Sequence, residues 1–287
     1  MLRLFIKQTF ALFVIILSLL SAARADDPEI LNMVFVPASE KGDDNDFQSL
    51  IKIISEQADV TIKTIRVTDY NAAVEAMRAG RAHIAWYGGK TYIIAAEIAH
   101  AEAFAAGVRK GEDTAGYYSY FVVRSDSPLK TLGDLKGKTL GLNSIGSTSG
   151  DLIPRVELAK FGLNTEIKGN FDRVFYAGSH DACLLSVINQ QVDVCGMSSR
   201  NFDARIKDGT ITIDQIRIIH RSPLVPPPPL AYSKKLSPKL RNRIKEATIM
   251  AHKYGKIGGY GGEMSHYIAV SDVDYDALRD IDKLLKQ

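Results

Sequence analysis

From residue 31 onward, short runs of β-branched and apolar residues alternate with amphipathic stretches of about ten to fifteen residues. Residues 31–36 (LNMVFV) have the character of a buried strand. Residues 46–57 place Phe47, Leu50, Ile51 and Ile54 on one helical face. Residues 60–67 (VTIKTIRV) alternate as a strand does, and 69–79 read as a helix capped by Asp69 and stopped by Gly80. A short strand, 83–86, runs into Tyr87-Gly88-Gly89, and 90–101 read as the next helix. Strands separated by helices in this way predict an α/β fold with a parallel sheet.

The pattern is interrupted and then resumes. Residues 116–123 (GYYSYFVV) form a long extended aromatic run, broken by Ser127-Pro128. Strands follow at 139–142, 174–176 and 192–196, with helices at 151–161 and 179–189. The strand 216–220 enters a proline-rich segment (RSPLVPPPP, 221–229), and Ser237-Pro238 opens a helical stretch through 254. The runs near 116–123 and 222–229 are the places where the chain can cross between two α/β lobes. One lobe is then 26–118 plus 223–287, the other 119–222. Pro226–Pro229 suit a stiff extended hinge strand better than a ligand for a peptide-binding domain.

Residues 1–25 stand apart. Arg3 and Lys7 precede an almost purely apolar run, 10–20 (FALFVIILSLL), and Ala23-Arg24-Ala25 forms an A-x-A site. This is the pattern of a secretory signal peptide cleaved after Ala25. Eleven apolar residues make about 16 Å of helix, too short for a hydrocarbon core of about 30 Å. The full chain of 287 residues has 36 basic and 33 acidic side chains. Arg3, Lys7 and Arg24 account for the whole excess, so the exported chain is neutral. A broad basic face for nucleic acid is not expected. Export to the periplasm also permits a disulfide between Cys183 and Cys195, with two buried thiols as the alternative.

Three segments carry candidate chemistry. Ser147-Thr148-Ser149-Gly150 lies between a strand and a helix, where first-turn N–H groups lack intrahelical partners and the helix dipole favours an anion. The same residues also serve as an ordinary N-cap. Trp86-Tyr87-Gly88-Gly89 sits at the carboxyl end of a strand, where open α/β sheets bind ligands. Tyr87 can turn its hydroxyl into a cleft there or pack in the core, and Tyr70 is a weaker candidate of the same kind. Gly178-Ser179-His180-Asp181 opens a helix. His180 can donate to an anion, and Asp181 can cap the helix or accept a proton from the ligand, which a sulfonate would not offer.

Nothing points to catalysis. The six histidines lack HExxH-type spacing, and no G-x-S-x-G elbow or Walker A motif is present. No metal, no other cofactor and no catalytic residue is expected.

Several of these segments together resemble the PhnD-like periplasmic phosphonate-binding proteins of ABC importers. They are Asp69-Tyr70, His83-Ile84-Ala85-Trp86-Tyr87-Gly88, Gly116-Tyr117-Tyr118-Ser119, Asp126-Ser127-Pro128, Ser147-Thr148-Ser149-Gly150 with Ile153-Pro154, Gly178-Ser179-His180-Asp181, Gln191-Val192-Asp193-Val194 and Ser222-Pro223-Leu224-Val225-Pro226. Ser271-Asp272 and Tyr275 extend the likeness. The resemblance implies a two-lobed type II periplasmic-binding-protein fold with the ligand in the interlobe cleft. It implies that Ser147, Thr148, Ser149 and His180 grip phosphonate oxygens from one lobe, and that Tyr87 and Tyr70 contribute from the other.

Two departures from the family bear on the ligand. Members that bind aminoalkylphosphonates place acids near the ligand's ammonium; at what look like those positions this chain has Arg200 and a proline within Pro226–Pro229. A preference for 2-aminoethylphosphonate is therefore not expected. Arg200 either turns inward to pair with a carboxyl-bearing phosphonate or points to solvent above a small ligand such as phosphite or methylphosphonate. The resemblance implies a monomeric receptor that delivers a phosphonate or phosphite to an inner-membrane ABC permease. The alternative is a receptor of the same fold presenting ligand to a membrane histidine kinase. An enzyme is not expected.

Overall fold

The computed structural model describes residues 27–40, 43–166 and 169–285, so the expected signal peptide lies outside the described residues. In chain order the first part contains β1 (Ile30–Phe35), α1 (Gln48–Gln57), β2 (Thr61–Ile65), α2 (Tyr70–Arg78), β3 (Ile84–Trp86), α3 (Gly89–Ile98) and β4 (Ala101–Arg109). The middle contains β5 (Ser119–Arg124), β6 (Thr139–Leu142), α4 (Ile153–Ala159), β7 (Arg173–Tyr176), α5 (His180–Ile188), β8 (Val194–Ser198), α6 (Ser199–Lys207) and β9 (Ile216–Arg221). The end contains β10 (Leu230–Ser233), α7 (Pro238–Met250), β11 (Ile257–Gly259), β12 (Gly262–Ala269) and α8 (Asp276–Leu284).

These strands form two sheets, ordered β11-β12-β4-β10-β3-β1-β2 and β7-β6-β8-β5-β9. The expected parallel pairing holds for β1 with β2 and β3, and for β6 with β7 and β8. Both sheets are nevertheless mixed. β10 runs antiparallel between β3 and β4, β12 antiparallel to β4, and β5 antiparallel to β8 and β9. The chain leaves the first sheet after β4 and returns to it at β10. The two passing segments meet at Tyr117 and Val225, whose backbones exchange N–H···O bonds of 3.2 and 2.8 Å.

In β5 the alternation of side chains decides which core each residue joins. Phe121 and Val123 pack with Leu140, Leu142 and Leu158 on one face of the second sheet. Val122 packs with Leu184, Met197 and Phe202 on the other. Cys183 and Cys195 are joined as a disulfide that ties α5 to β8. The first sheet has a single continuous core that includes Phe35, Phe47, Trp86 and Phe104.

One helix ends earlier than its sequence suggests. The alanine-rich run from 99 favours helix locally. The chain instead turns at His100, whose φ is +53°, and 101–109 becomes β4 between β10 and β12. Its small residues let the neighbouring elements come close: a Cβ on Gly107 would lie 2.7 Å from Met264 Sδ.

Candidate functional site

The helix after β6 begins three residues earlier than expected. Thr148–Leu152 forms a π-helical turn that runs into α4, so Thr148, Ser149 and Gly150 are themselves the first turn. Ser147 is its N-cap. Ser147 Oγ accepts from Gly150 N at 3.1 Å and from Asn143 Nδ2 at 3.3 Å. With both acceptor positions taken, its O–H proton is directed away from them. The N–H groups of Thr148 and Ser149 have no intrahelical partner. Gly150 is required by packing, because a Cβ there would collide with Asn143 and sit 2.9 Å from His180 Cε1.

His180 is the first residue of α5, whose N-cap Ser179 accepts from Ala182 N at 3.0 Å. Ser198 N donates to His180 Nδ1 at 3.3 Å. Nδ1 is therefore the acceptor nitrogen, and the ring proton sits on Nε2. Burial pulls the imidazole down to about 3, well below its ordinary range. His180 is thus a neutral N–H donor at any physiological pH.

From the first sheet, Tyr70 opens α2 behind the Asp69 cap. Its hydroxyl accepts from Asn143 Nδ2 at 3.0 Å. Gly88 caps α3 and comes so close that a Cβ on it would lie 3.0 Å from Thr148 Oγ1. Lys90 N donates to Thr148 Oγ1 at 2.9 Å, and Thr91 Oγ1 to Gly146 O at 2.8 Å. Lys90 Nζ reaches Asp151 Oδ2 at 2.7 Å, in a pair that is almost wholly buried. Asp151 Oδ1 also accepts from Arg155 Nε at 2.8 Å and Tyr176 O–H at 3.0 Å. The two sheets are therefore fastened together around the Ser147–Gly150 turn.

Between them is a small cavity of about 10 Å³, close to what one water needs. Ser147, Thr148, Ser149, His180 and Tyr70 line it, as do Trp86, Tyr117 and Tyr260. Burial raises the Tyr117 phenol, while hydrogen bonding to Ser149 and Thr148 and the charge of Arg200 pull the other way. Tyr117 therefore remains a neutral hydroxyl beside the serines. Among the described residues, hydroxyls, one imidazole and first-turn N–H groups supply the polar lining, and no carboxylate does. A far larger groove of about 650 Å³ runs along α3 and α8. It mixes Asp272, Asp276, Asp282 and Glu97 with Lys234, Arg279 and Lys283, a charge balance unsuited to concentrating an anion.

Residues 33–275 match the family described as the periplasmic phosphonate substrate-binding protein of ABC transporters. The chain belongs to this family. Its relatives include the phosphonates-binding periplasmic protein of Escherichia coli (strain K12), 29% identical over 245 residues that cover 83% of this chain and 70% of the relative. The phosphate-import protein PhnD of Mycolicibacterium smegmatis is 26% identical over 276 residues, covering 88% and 85%. Among solved structures, a binding protein component of an ABC phosphonate transporter from Pseudomonas aeruginosa aligns with a TM-score of 0.79 at 27% identity. That alignment covers 91% of this chain and 87% of that one. PhnD1 from Prochlorococcus marinus, solved in complex with methylphosphonate, shares the fold with a TM-score of 0.77 at 20% identity, over 91% and 99% of the two chains. The family is one of substrate-binding transport proteins located in the periplasm, and its fold is the two-sheet type II periplasmic-binding-protein fold. The histidine-kinase alternative gains no support from these relatives.

Three expected site residues do not line the cavity. Tyr87 is fully buried in the first core, and its hydroxyl donates to Ala73 O at 3.2 Å. Neighbouring residues of an extended segment face opposite ways, so once Trp86 faces the cavity Tyr87 faces the core. Asp181 turns away from the ligand space. Its Oδ2 accepts from Ser39 Oγ at 3.0 Å and Glu40 N at 3.1 Å, and it lies 3.6 Å from Arg205 Nη1. Through Oδ2 it holds β1's exit loop against α5, and its Oδ1 is buried without a partner outside the cavity lining. Arg200 is 2% exposed, which rules out the solvent-facing alternative, but it lines an adjoining cavity and not this one.

Two lining residues, Tyr117 and Tyr260, are not evident as site residues in the sequence. Tyr117 lies in the family-like segment Gly116-Tyr117-Tyr118-Ser119, but the residues of that aromatic run mark only a crossing strand. Tyr260 arrives from the turn between β11 and β12, where it donates to Asn201 Oδ1. Its one signal is an aromatic flanked by glycines (GGYGG, 258–262).

Proposed function

We propose that the family's phosphonate-binding role is carried out in this chain by the cavity between the two sheets. Its ligand is a small tetrahedral phosphorus oxyanion, a phosphonate or phosphite, held by the Ser147–Thr148–Ser149 turn and His180 with Tyr70 and Tyr117. The observation that carries this is the meeting of a helix N-terminus, three consecutive hydroxyls and a neutral imidazole donor on one enclosed point. Such an array replaces an anion's hydration with fixed dipoles, which suits a protein without a basic face. The relatives' names support a phosphorus oxyanion of variable substituent: phosphonates for one, phosphate for another, phosphite for a third.

The two sheets act as lobes, 26–118 plus 223–287 and 119–222, hinged where Tyr117 and Val225 pair. A cavity this small admits a ligand only when the lobes part, so binding and closure are one event. The mature receptor begins after Ala25, works as a monomer in the periplasm and hands its ligand to an inner-membrane ABC permease. It does not catalyse. 2-Aminoethylphosphonate is disfavoured, because an ammonium entering this site would find no carboxylate among the described lining residues.

Calorimetry with the mature protein over phosphite, phosphate, methylphosphonate, 2-aminoethylphosphonate and phosphonoacetate tests this. Tightest binding to 2-aminoethylphosphonate contradicts the ligand assignment. Replacing Ser147, Thr148 and Ser149 together by Ala should remove measurable binding, at about 1–3 kcal/mol for each lost hydrogen bond to the anion. Affinity that survives the triple change places the ligand elsewhere.

A further inference from the structure

Arg200 is the largest of the side chains that the fold buries almost completely. It belongs to the first turn of α6, beside the second sheet, yet its guanidinium crosses to the first. Nη2 donates to Ala115 O at 2.8 Å and to Gly107 O at 3.3 Å, and lies 3.5 Å from Glu112 Oε2. Nε is buried and has no acceptor. A guanidinium keeps its charge and all five N–H donors in any protein environment, so a buried unpaired donor is a place where an acceptor is missing.

The space in front of Arg200 is a second small cavity, walled by Phe47, Met264 and Tyr267. Trp86, Pro228 and Tyr260 belong to the walls of both cavities. The Trp86 and Tyr260 rings, whose centroids are 4.7 Å apart, therefore stand between the Ser147–His180 site and Arg200. The carboxylates nearby are already committed. Glu112 sits 2.6 Å and Asp203 2.5 Å from Arg109 Nη2, so two guanidiniums share two carboxylates. The cavity itself offers a cation, phenols and apolar walls. An ammonium in it would face a guanidinium with no free carboxylate, whereas a carboxylate would meet the Nε–H.

We propose that this compartment receives the distal end of the ligand's organic substituent, and that Arg200 selects phosphonates carrying a carboxylate there over those carrying an ammonium. The proposal rests on the phosphonate-binding role of the adjoining cavity. Arg200 is a specificity residue of that site, whose planar fork suits a carboxylate better than a point charge does.

The test is calorimetry on the mature protein, wild type, R200K and R200M, with phosphonoacetate, ethylphosphonate and 2-aminoethylphosphonate, and with thermal melts to establish that each variant is folded. Wild type should bind phosphonoacetate about tenfold or more tighter than ethylphosphonate, with 2-aminoethylphosphonate weakest. The phosphonoacetate-to-ethylphosphonate affinity ratio is the informative quantity. Arg200 also fastens Gly107 and Ala115, and any loss from that role weakens both ligands alike and cancels. The ratio should fall towards one in R200M, and fall in R200K even if R200M does not fold. Equal binding of the two ligands by wild type overturns the proposal, and so does a ratio unchanged in the variants. If no phosphonate, methylphosphonate included, binds at all, it is the underlying phosphonate assignment that fails, and the compartment's role fails with it.

Discussion

At the scale of single residues, the site depends on which way adjacent side chains face. His180 and Asp181 are sequence neighbours, yet one lines the cavity and the other pins the loop at Ser39. Trp86 and Tyr87 divide in the same way between cavity and core. Residue type and spacing mark such pairs as functional, but they do not choose between the members. That choice is made by the register of a strand or the phase of a helix against elements far away in sequence. The Ser147-Thr148-Ser149 turn is legible as a candidate because consecutive hydroxyls at a helix start suit an anion on local grounds, although an ordinary N-cap shows the same pattern. Tyr260 is not legible, since its place depends on how the β11–β12 hairpin is carried round to the first sheet's far edge.

His180 also makes a prediction at this scale. Burial lowers its imidazole to about 3, while in the unfolded chain it titrates near 6.5. Between these values the unfolded state takes up a proton that the folded state refuses. Stability conferred by the neutral ring is therefore complete above about 6.5 and is lost as pH falls towards 3. The H180N variant removes this linkage. Its melting temperature should fall less steeply than that of wild type between pH 7 and pH 4, a difference of at most about 1.4 kcal/mol per pH unit. Parallel curves for the two proteins would mean that His180 is accessible to protons in the folded state.

At the scale of elements, two helices share the proposed anion site. The π turn before α4 brings Ser147, Thr148 and Ser149, and α5 brings His180. The disulfide fixes α5 to β8, the strand that supplies Ser198 N to His180 Nδ1. Cross-linking a loop of 12 residues contributes about 3 kcal/mol by restricting the unfolded chain. Replacing both cysteines by Ala should lower the melting temperature by roughly 6–12 °C. It should also weaken methylphosphonate binding at temperatures where the variant is still folded. Unchanged affinity together with a lowered melting temperature would show that the bridge stabilises the lobe without positioning His180. Element types along the parallel strands are readable from apolar runs and capping residues, as at Asp69 and Gly80. The antiparallel strands are harder: β4 is built from alanines that favour helix, and only its burial between β10 and β12 makes it a strand.

At the scale of the whole molecule, the chain expected to remain after cleavage at Ala25 has no net charge, so the proposed site works through local dipoles. The two sheets are joined by apolar contact, with Leu152 and Ile153 packed into the first core, and by polar bonds. Lys90 leaves α3 to reach Asp151 beside the serine turn, Arg200 leaves α6 to reach the backbone of β4, and Asp181 leaves α5 to hold Ser39 and Glu40. These bonds surround a site otherwise walled by aromatic rings, and they form only when the sheets meet. In the proposed site an oxyanion between Ser147 and His180 would complete the same surface, linking capture to closure. Two α/β lobes are foreseeable from the two breaks in the strand–helix alternation. The polar bonds between them are not, because each joins residues far apart in sequence: 61 residues separate Lys90 from Asp151.

The most direct measurement is a crystal structure of the mature protein with methylphosphonate. The expected result is a closed molecule with the three phosphonate oxygens against Ser147, Thr148, Ser149 and His180 Nε2, and the methyl group towards Trp86 and Tyr260. Methylphosphonate bound in the α3–α8 groove, or bound with Ser147–Ser149 and His180 making no contact to it, would contradict capture at the serine turn.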